Sequence, residues 1–293
     1  MVMEFVTYLG LVLFGLVLGS YAGATVWRLR AKQLVEDKKA GEHVDHAEFT
    51  KLKKLTQVKT SNDRSRCLSC GYTLKWYDLI PLVSWLTLRG RCRECRKPIG
   101  YMEPLIELGT ALFFVLSYAF WPFDLNTGLA IASFATWLVA GVGLAILFAY
   151  DTKWFLLPNR VTFIVIGLGG ISAILTVIAS SDILGTILNI IGSVAVLSGI
   201  YFVLYLVSKG RWIGFGDIKL GLALGLLLAD WQYALIALFL ANFIGCLIVI
   251  PLMAMGKLKR DSHVPFGPLL IAGAIIAKLI GLMVVEFYTY GLL

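Results

Sequence analysis

Residues 128–151 read GLAIASFATWLVAGVGLAILFAYD, an apolar run of 23 uncharged residues that ends on Asp151. About 20 consecutive apolar residues are enough to cross the hydrocarbon core of a bilayer as a helix. Runs of this kind recur along the chain, whose 293 residues are 59% hydrophobic and only 15% charged. Soluble domains carry about a quarter of charged residues. The sequence therefore predicts an all-α polytopic membrane protein, with the lipid bilayer as its main partner.

The apolar runs predict about eight transmembrane helices. The predicted spans are roughly 5–27, 103–121, 128–150, 158–179, 183–207, 212–230, 231–255 and 266–288. The first run is long enough to span and lacks the basic start of a cleavable signal peptide. The sixth is the weakest, because only twelve residues separate Asp217 from Asp230, and it reaches spanning length only if it begins at Trp212.

The formal net charge of +8 is unevenly placed, since seventeen of the 26 Lys and Arg lie between Arg28 and Lys97. Connections that carry basic residues alternate along the chain with connections that carry none. The basic connections are 28–102, 151–160, 208–211 and 256–265. The positive-inside rule places these in the cytoplasm and both termini outside. This placement explains the charge without nucleic-acid binding, and we expect a multi-pass protein of the inner (cytoplasmic) membrane.

Three domains are predicted from the spans and the polar segment between them. They are a first transmembrane helix over 1–27, a cytoplasmic insert over 28–102 and a seven-helix membrane domain over 103–293. The insert is the only sizeable polar segment of the chain, so any soluble module lies there.

Cys67, Cys70, Cys92 and Cys95 form two CxxC pairs in the insert, with 21 residues between the pairs. This spacing suits tetrahedral zinc held by four thiolates, and such a site is structural because no coordination position stays open. Two disulfides or free thiols are the alternative. Because the predicted location is the reducing cytoplasm, which disfavours disulfides, we expect a structural zinc site.

Asp151 ends the third predicted span and Asp217 begins the sixth, so both fall at the predicted cytoplasmic edge. Charge in hydrocarbon is costly, and acids placed there are commonly functional. Two carboxyls held close together share a proton: one activates water by taking a proton, and the other donates to a peptide carbonyl. The alternative is that each is a cap or counter-ion for Lys153, Arg160 or Lys219. Asp151, at a helix C-terminus, is expected to hold the shared proton.

Two other classes of protein fit parts of the pattern. A proton- or cation-coupled transporter would use Asp151 and Asp217 as a relay, although relay acids are commonly placed near mid-membrane and the chain has no internal repeat. A zinc-dependent binding or assembly protein would use both acids structurally. Cleavage assays on Asp→Asn variants separate these classes.

Six motifs in order make the chain resemble the type IV prepilin peptidases, a branch of the GxGD membrane aspartyl proteases. They are GSY with RL within 19–29, the paired CxxC motifs, EPLIEL at 103–108, Asp151 with LPN at 157–159, GFGDIKL at 214–220 and PFGP at 265–268. The supporting motif residues are Gly214, Gly216, Lys219, Pro265, Phe266, Gly267 and Pro268. GxGD alone is a weak signal, whereas the six together are specific.

The resemblance implies a prepilin peptidase that cleaves prepilins and pseudopilins on the cytoplasmic side, with Asp151 and Asp217 as the catalytic pair. In many members it also implies methylation of the new N-terminus with S-adenosylmethionine. The chain departs from the family pattern at Gly23, where the family has Asn, and at Arg30, where it has Pro. These departures fall in a motif associated with methyl transfer more than with proteolysis.

Overall fold

The computed structural model describes residues 2–56, 64–259 and 263–291. Part of the predicted insert, 57–63, and part of the last basic connection, 260–262, lie outside the described residues. The helices, in chain order, are α1 (Val2–Lys39), α2 (His46–Leu52), α3 (Val83–Thr87), α4 (Met102–Ala119), α5 (Gly128–Trp154), α6 (Asn159–Ala179), α7 (Ile183–Val194), α8 (Ile200–Ser208), α9 (Phe215–Leu228), α10 (Trp231–Ala254) and α11 (Gly267–Tyr290). No β-strand occurs within the described ranges.

Seven helical segments in these ranges are long and apolar enough to cross a membrane. They are α1, α4, α5, α6, the continuous rod of α7 and α8, α10 and α11. A π-helical turn, Ala195–Gly199, joins α7 to α8 within the rod. The all-α, multi-pass membrane architecture expected from the apolar runs is therefore confirmed.

The helix α9 is shorter than the span predicted over 212–230. Its 14 residues measure about 21 Å at 1.5 Å per residue, against about 30 Å of hydrocarbon. The predicted start at Trp212 is wrong, because the backbone at Gly214 is extended and the helix begins at Phe215. The Asp217 carboxylate closes the first turn by accepting the Gly214 N–H. Ala229, in the left-handed conformation with φ of 56°, ends the helix.

The chain forms two compact units, Met1–Val115 and Leu116–Leu293. In the first unit, α1 runs on to Lys39 rather than ending near residue 27. Its extension packs against α2 through a small core of Ala31, Leu34 and Leu52. Burial of these apolar side chains stabilises the helix beyond the predicted membrane boundary.

In the second unit, α9 packs closely against α7 and the π-helical turn. Gly221 of α9 lies against the Leu197 carbonyl, where a Cβ would clash with backbone. The Ser193 hydroxyl donates to the Gly225 carbonyl at 2.8 Å. Small residues on α9 therefore let two backbones approach, as is common for helices packed in membranes.

Candidate active site and tetracysteine centre

Asp217 is half-buried in the first turn of α9. Its Oδ2 accepts a hydrogen bond from the Gly214 N–H at 3.3 Å, and its own N–H donates to the Gly214 carbonyl at 3.1 Å. A Cβ at Gly216 would lie only 3.2 Å from Leu157 Cδ1. The GFGD sequence thus forms a tight N-terminal turn, and its second glycine lets the segment after α5 close against α9.

Asp151 lies in the last turn of α5 and is only 6% exposed. Its Oδ2 accepts a hydrogen bond from the Gly267 N–H at 3.0 Å. Gly267 is the first residue of α11, so this carboxylate meets the positive, N-terminal end of a second helix. A Cβ at Gly267 would come within 2.7 Å of the same oxygen. The glycine of the PFGP motif therefore permits the approach of Asp151.

The structure places Asp151 near the helix that carries Asp217, since a Cβ at Gly267 would lie 2.7 Å from Asp151 Oδ2 and 3.5 Å from Leu220 Cδ2 of α9. Both carboxylates accept backbone N–H groups at the N-terminal end of a helix, α11 for Asp151 and α9 for Asp217. Helix ends alone therefore do not distinguish the two acids. The expectation that Asp151 holds the shared proton loses its basis, because α11 supplies an anion-favouring end that α5 lacks.

Lys219, in the same motif as Asp217, has another partner. Its Nζ donates to Asn159 Oδ1 at 2.7 Å and lies 4.9 Å from the centre of the Phe215 ring. This contact joins the LPN motif to the GFGDIKL motif, in agreement with the closure of Leu157 on α9. Lys219 thus ties two motifs together.

Tyr201 and Lys278 were not predicted from the sequence as site residues. Tyr201 packs its ring against Phe266 of the PFGP motif, with centroids 5.3 Å apart, and its hydroxyl has no hydrogen-bond partner among the described residues. Lys278 is 7% exposed in the middle of α11, and its Nζ donates to the Leu227 carbonyl at 3.4 Å. The signal available for both was a polar side chain inside a predicted span.

The four insert cysteines converge. The Sγ atoms of Cys67, Cys70, Cys92 and Cys95 all lie within 4.8 Å of one another. The Sγ atoms of Cys67 and Cys95 are 3.9 Å apart, and those of Cys70 and Cys92 are 4.0 Å apart. A tetrahedral zinc ion with Zn–S bonds of about 2.3 Å separates its sulfur ligands by about 3.8 Å. All four thiols are free, so the cluster is compatible with a structural zinc ion.

The buried carboxylate of Asp78 links the two CxxC loops. Its Oδ1 accepts from Arg93 Nε at 2.7 Å, and its Oδ2 accepts from the Tyr72 hydroxyl at 3.3 Å and the Lys75 N–H at 3.1 Å. Burial opposes ionisation, but the bonds from Arg93 and Lys75 outweigh it and lower the pKa of Asp78. Arg93 lies inside the second CxxC pair and Tyr72 just after the first. One carboxylate therefore holds both loops.

The fold and these sites define a multi-pass membrane protein with two acids held by backbone N–H groups at helix starts and a tetracysteine cluster. The model of the type IV leader peptidase family matches residues 138–250. The model of the bacterial peptidase A24 N-terminal domain matches residues 13–121. The chain belongs to the type IV leader peptidase family, and it is a peptidase, as the six motifs predicted.

Three relatives illustrate the similarity. A prepilin leader peptidase/N-methyltransferase of Legionella pneumophila is 29% identical over 281 residues, covering 96% of this chain and 94% of that protein. A protein of the same name from Aeromonas hydrophila is 33% identical over 229 residues, covering 77% and 74%. The type 4 prepilin-like proteins leader peptide-processing enzyme of Escherichia coli O78:H11 is 31% identical over 266 residues, covering 89% of each. Comparison with solved structures gives no significant match.

Proposed function

We propose that the chain is a membrane aspartyl endopeptidase that removes the leader peptide of type IV prepilins or pseudopilins, with Asp151 and Asp217 as the catalytic pair. The observation that carries the proposal is that two acids from separate helices each accept a backbone N–H at the start of a helix, with Asp151 next to α9, the helix of Asp217. The names of the relatives supply the substrate class. Membership of a peptidase family favours hydrolysis over the transporter relay.

The proposed reaction is general acid–base hydrolysis without a covalent intermediate. The ionised carboxyl takes a proton from water, and the water oxygen attacks the carbonyl carbon of the scissile peptide bond. The protonated carboxyl donates its proton to the carbonyl oxygen. The C–N bond then breaks as the nitrogen takes a proton from the carboxyl that water had protonated. A hydroxyl of the tetrahedral intermediate returns its proton to the other carboxyl as the new carboxyl group forms, which restores the starting state of the pair. Backbone donors at Gly214 and Gly267 orient both acids before the reaction begins.

The cytoplasmic face is the proposed location of this site. Lys153 and Arg160 follow Asp151 in sequence, Arg211 precedes Asp217, and the alternation of basic connections along the chain supports cytoplasmic placement. Both termini then lie outside the inner membrane, and α9 also crosses. A helix as short as α9 crosses where the bilayer thins locally.

We further propose that Cys67, Cys70, Cys92 and Cys95 hold one structural zinc ion. The site would belong to a domain over 28–102, which follows a first helix over 1–27 and precedes a peptidase domain over 103–293 in the chain. The ion would cross-link the two CxxC loops, because four thiolates leave no position for a substrate. Metal analysis of protein purified without added metal is expected to give about one zinc per chain. A value near zero, with the cysteines paired as disulfides, would contradict this proposal.

Methylation of the new N-terminus is the proposed second activity, with S-adenosylmethionine as the methyl donor when bound. Trp27 Nε1 donates to Glu103 Oε1 at 2.7 Å, whereas the buried Glu103 Oε2 has no hydrogen-bond partner within the described residues. An unmatched carboxylate oxygen fits a cationic sulfonium or amine. Gly23, where the family has Asn, lies next to Glu103, because a Cβ at Gly23 would lie 3.8 Å from Glu103 Cα. Transfer of labelled methyl to a cleaved pilin tests the activity.

The peptidase proposal is tested by mixing purified Asp151→Asn and Asp217→Asn variants with a prepilin and following leader release on a gel. Asparagine keeps the size of the acid but transfers no proton, so each variant is expected to lose at least about 100-fold in rate. Asp182→Asn is the matched control, because Asp182 caps α7 through the Gly185 N–H and asparagine caps equally well. Full cleavage by either active-site variant would end the aspartyl-peptidase proposal.

A further inference from the structure

Tyr201 carries a buried hydroxyl that the fold itself leaves without a partner. The residue is 5% exposed, and its hydroxyl has no hydrogen-bond partner in the described part of the chain. Buried tyrosine hydroxyls usually find a partner, and an unmatched buried donor costs free energy. A donor left unmatched next to a candidate active site indicates a partner that arrives with the substrate.

The Tyr201 phenol packs against the segment that holds Asp151, and its hydroxyl bonds to neither acid. Its ring meets the Phe266 ring edge-on at 5.3 Å, and Phe266 immediately precedes Gly267, the donor to Asp151. Asp217 lies on α9, which packs against α8, and we expect its carboxylate to act electrostatically on the phenol. Because the Tyr201 hydroxyl has no partner among the described residues, it remains available to a third group.

The π-helical turn fixes the position of Tyr201. This turn, Ala195–Gly199, ends two residues before Tyr201, and its Ser198 hydroxyl donates to the Ile218 carbonyl at 3.0 Å. Ile218 directly follows Asp217, so the turn is bonded to the helix that carries the acid. Single π-helical turns occur frequently at functional sites. The irregular turn therefore ties the start of α8, which carries Tyr201, to the helix that carries Asp217.

We propose that the Tyr201 hydroxyl donates a hydrogen bond to the carbonyl oxygen of the peptide bond that Asp151 and Asp217 hydrolyse. As water attacks, this oxygen gains negative charge, and a preorganised donor in a dry site stabilises that charge. Tyr201 keeps its proton throughout, so the acids alone transfer protons. This inference rests on the proposed aspartyl-peptidase function and adds a third catalytic residue to it.

Tyr201→Phe tests the inference, because it removes the hydroxyl and leaves the ring against Phe266. Loss of one donor of this kind is expected to lower kcat about 100-fold. KM should change by less than about threefold, since the bond strengthens in the transition state. The melting temperature in detergent should stay the same or rise, because an unmatched buried hydroxyl is removed. A purely structural hydroxyl would instead lower it.

Tyr205→Phe is the matched control. Tyr205 lies one turn further along α8, is half-buried and packs its ring against Phe215 at 5.8 Å. The Tyr205→Phe variant is expected to cleave prepilin at the wild-type rate. Cleavage by Tyr201→Phe at the wild-type rate, while Asp217→Asn is inactive, would overturn the role of Tyr201 and leave the acid pair intact. A lower melting temperature, a failure to fold or an effect on KM alone would also overturn it. Cleavage by Asp217→Asn would instead overturn the peptidase mechanism itself.

Discussion

The Asp151 carboxylate accepts the backbone N–H of Gly267 at 3.0 Å, across 116 residues of sequence. This bond joins the end of α5 to the start of α11. It places an acid that sequence assigns to a helix C-terminus against the N-terminus of another helix. The orientation of Asp151 therefore depends on the absence of a side chain at Gly267.

Gly267→Ala is expected to reduce prepilin cleavage about 100-fold, because the new methyl group would displace the carboxylate and a shift of about 1 Å costs this much. A Cβ at this position would lie 2.7 Å from Asp151 Oδ2. Initial rates of leader release measure the effect, and circular dichroism checks that the helices persist. Gly167→Ala is the control, since a Cβ there meets nothing within 4 Å. Wild-type cleavage by Gly267→Ala would show that Asp151 needs no such approach.

Asp78→Ala is expected to loosen the tetracysteine centre, because it removes the acceptor of Arg93, Tyr72 and the Lys75 N–H. Without this acceptor the two CxxC loops lose the hydrogen bonds that join them. The measurement is the rate at which a chelator removes zinc from the purified protein. Glu94→Ala is the control, since Glu94 lies exposed inside the same CxxC loop. Equal rates of zinc loss in both variants would contradict the linking role of Asp78.

The pH dependence of the same experiment follows from the lowered pKa of Asp78. Burial opposes the shift, but the bonds from Arg93 and Lys75 lower the pKa from its ordinary value of 3.8. A lowered pKa stabilises the fold at every pH above that value, and the stabilisation is lost as pH falls through the folded value. Between about pH 5 and 8, zinc loss from wild type and Asp78→Ala should therefore differ by a constant factor. Convergence of the two near pH 6 would refute this assignment.

Lys278→Met is expected to destabilise the membrane unit by about 1–3 kcal/mol, because the Leu227 carbonyl at the end of α9 loses its donor. Asp230 caps α10 through the Gln232 N–H, and we expect its carboxylate to attract the Lys278 ammonium. Asp230→Asn keeps this cap but removes the charge. In a double-mutant cycle monitored by thermal unfolding, Asp230→Asn should lower the free energy of unfolding less in the Lys278→Met background than in wild type. Strict additivity would mean that Lys278 and Asp230 do not interact.

Much of the fold was predictable because transmembrane helices can be recognised in a sequence by their length and apolar composition. The runs that became α5, α6 and α10 are uncharged over nearly their whole length, and no packing detail is needed to recognise them. The start of α9 was not predictable in this way. It depends on a cap between Gly214 and Asp217. This cap starts the helix at Phe215, three residues after the start that composition suggests.

The candidate site was predictable in its members but not in its contacts. Motif order singled out Asp151, Asp217 and the cysteines, and the Sγ atoms of the four cysteines converge in space. The partners of Asp151 come from another part of the chain, so helix-end reasoning on α5 alone misjudged its surroundings. Tyr201 looks in sequence like one more lipid-facing residue of an apolar run. Only the packing of α8 against Phe266 turns it inward.

The hydrogen bonds that the main chain donates to both acids have a consequence for mutagenesis. Because Gly214 and Gly267 hold the carboxylates through N–H groups, no side-chain deletion removes either contact. In a saturation scan, harmful changes around the acids should be those that add bulk at glycines such as Gly216, or introduce proline, rather than those that truncate a partner. The positions most sensitive to substitution are thus glycines. Alanine scanning would detect them because alanine adds a methyl group at glycine, whereas it shortens most other side chains.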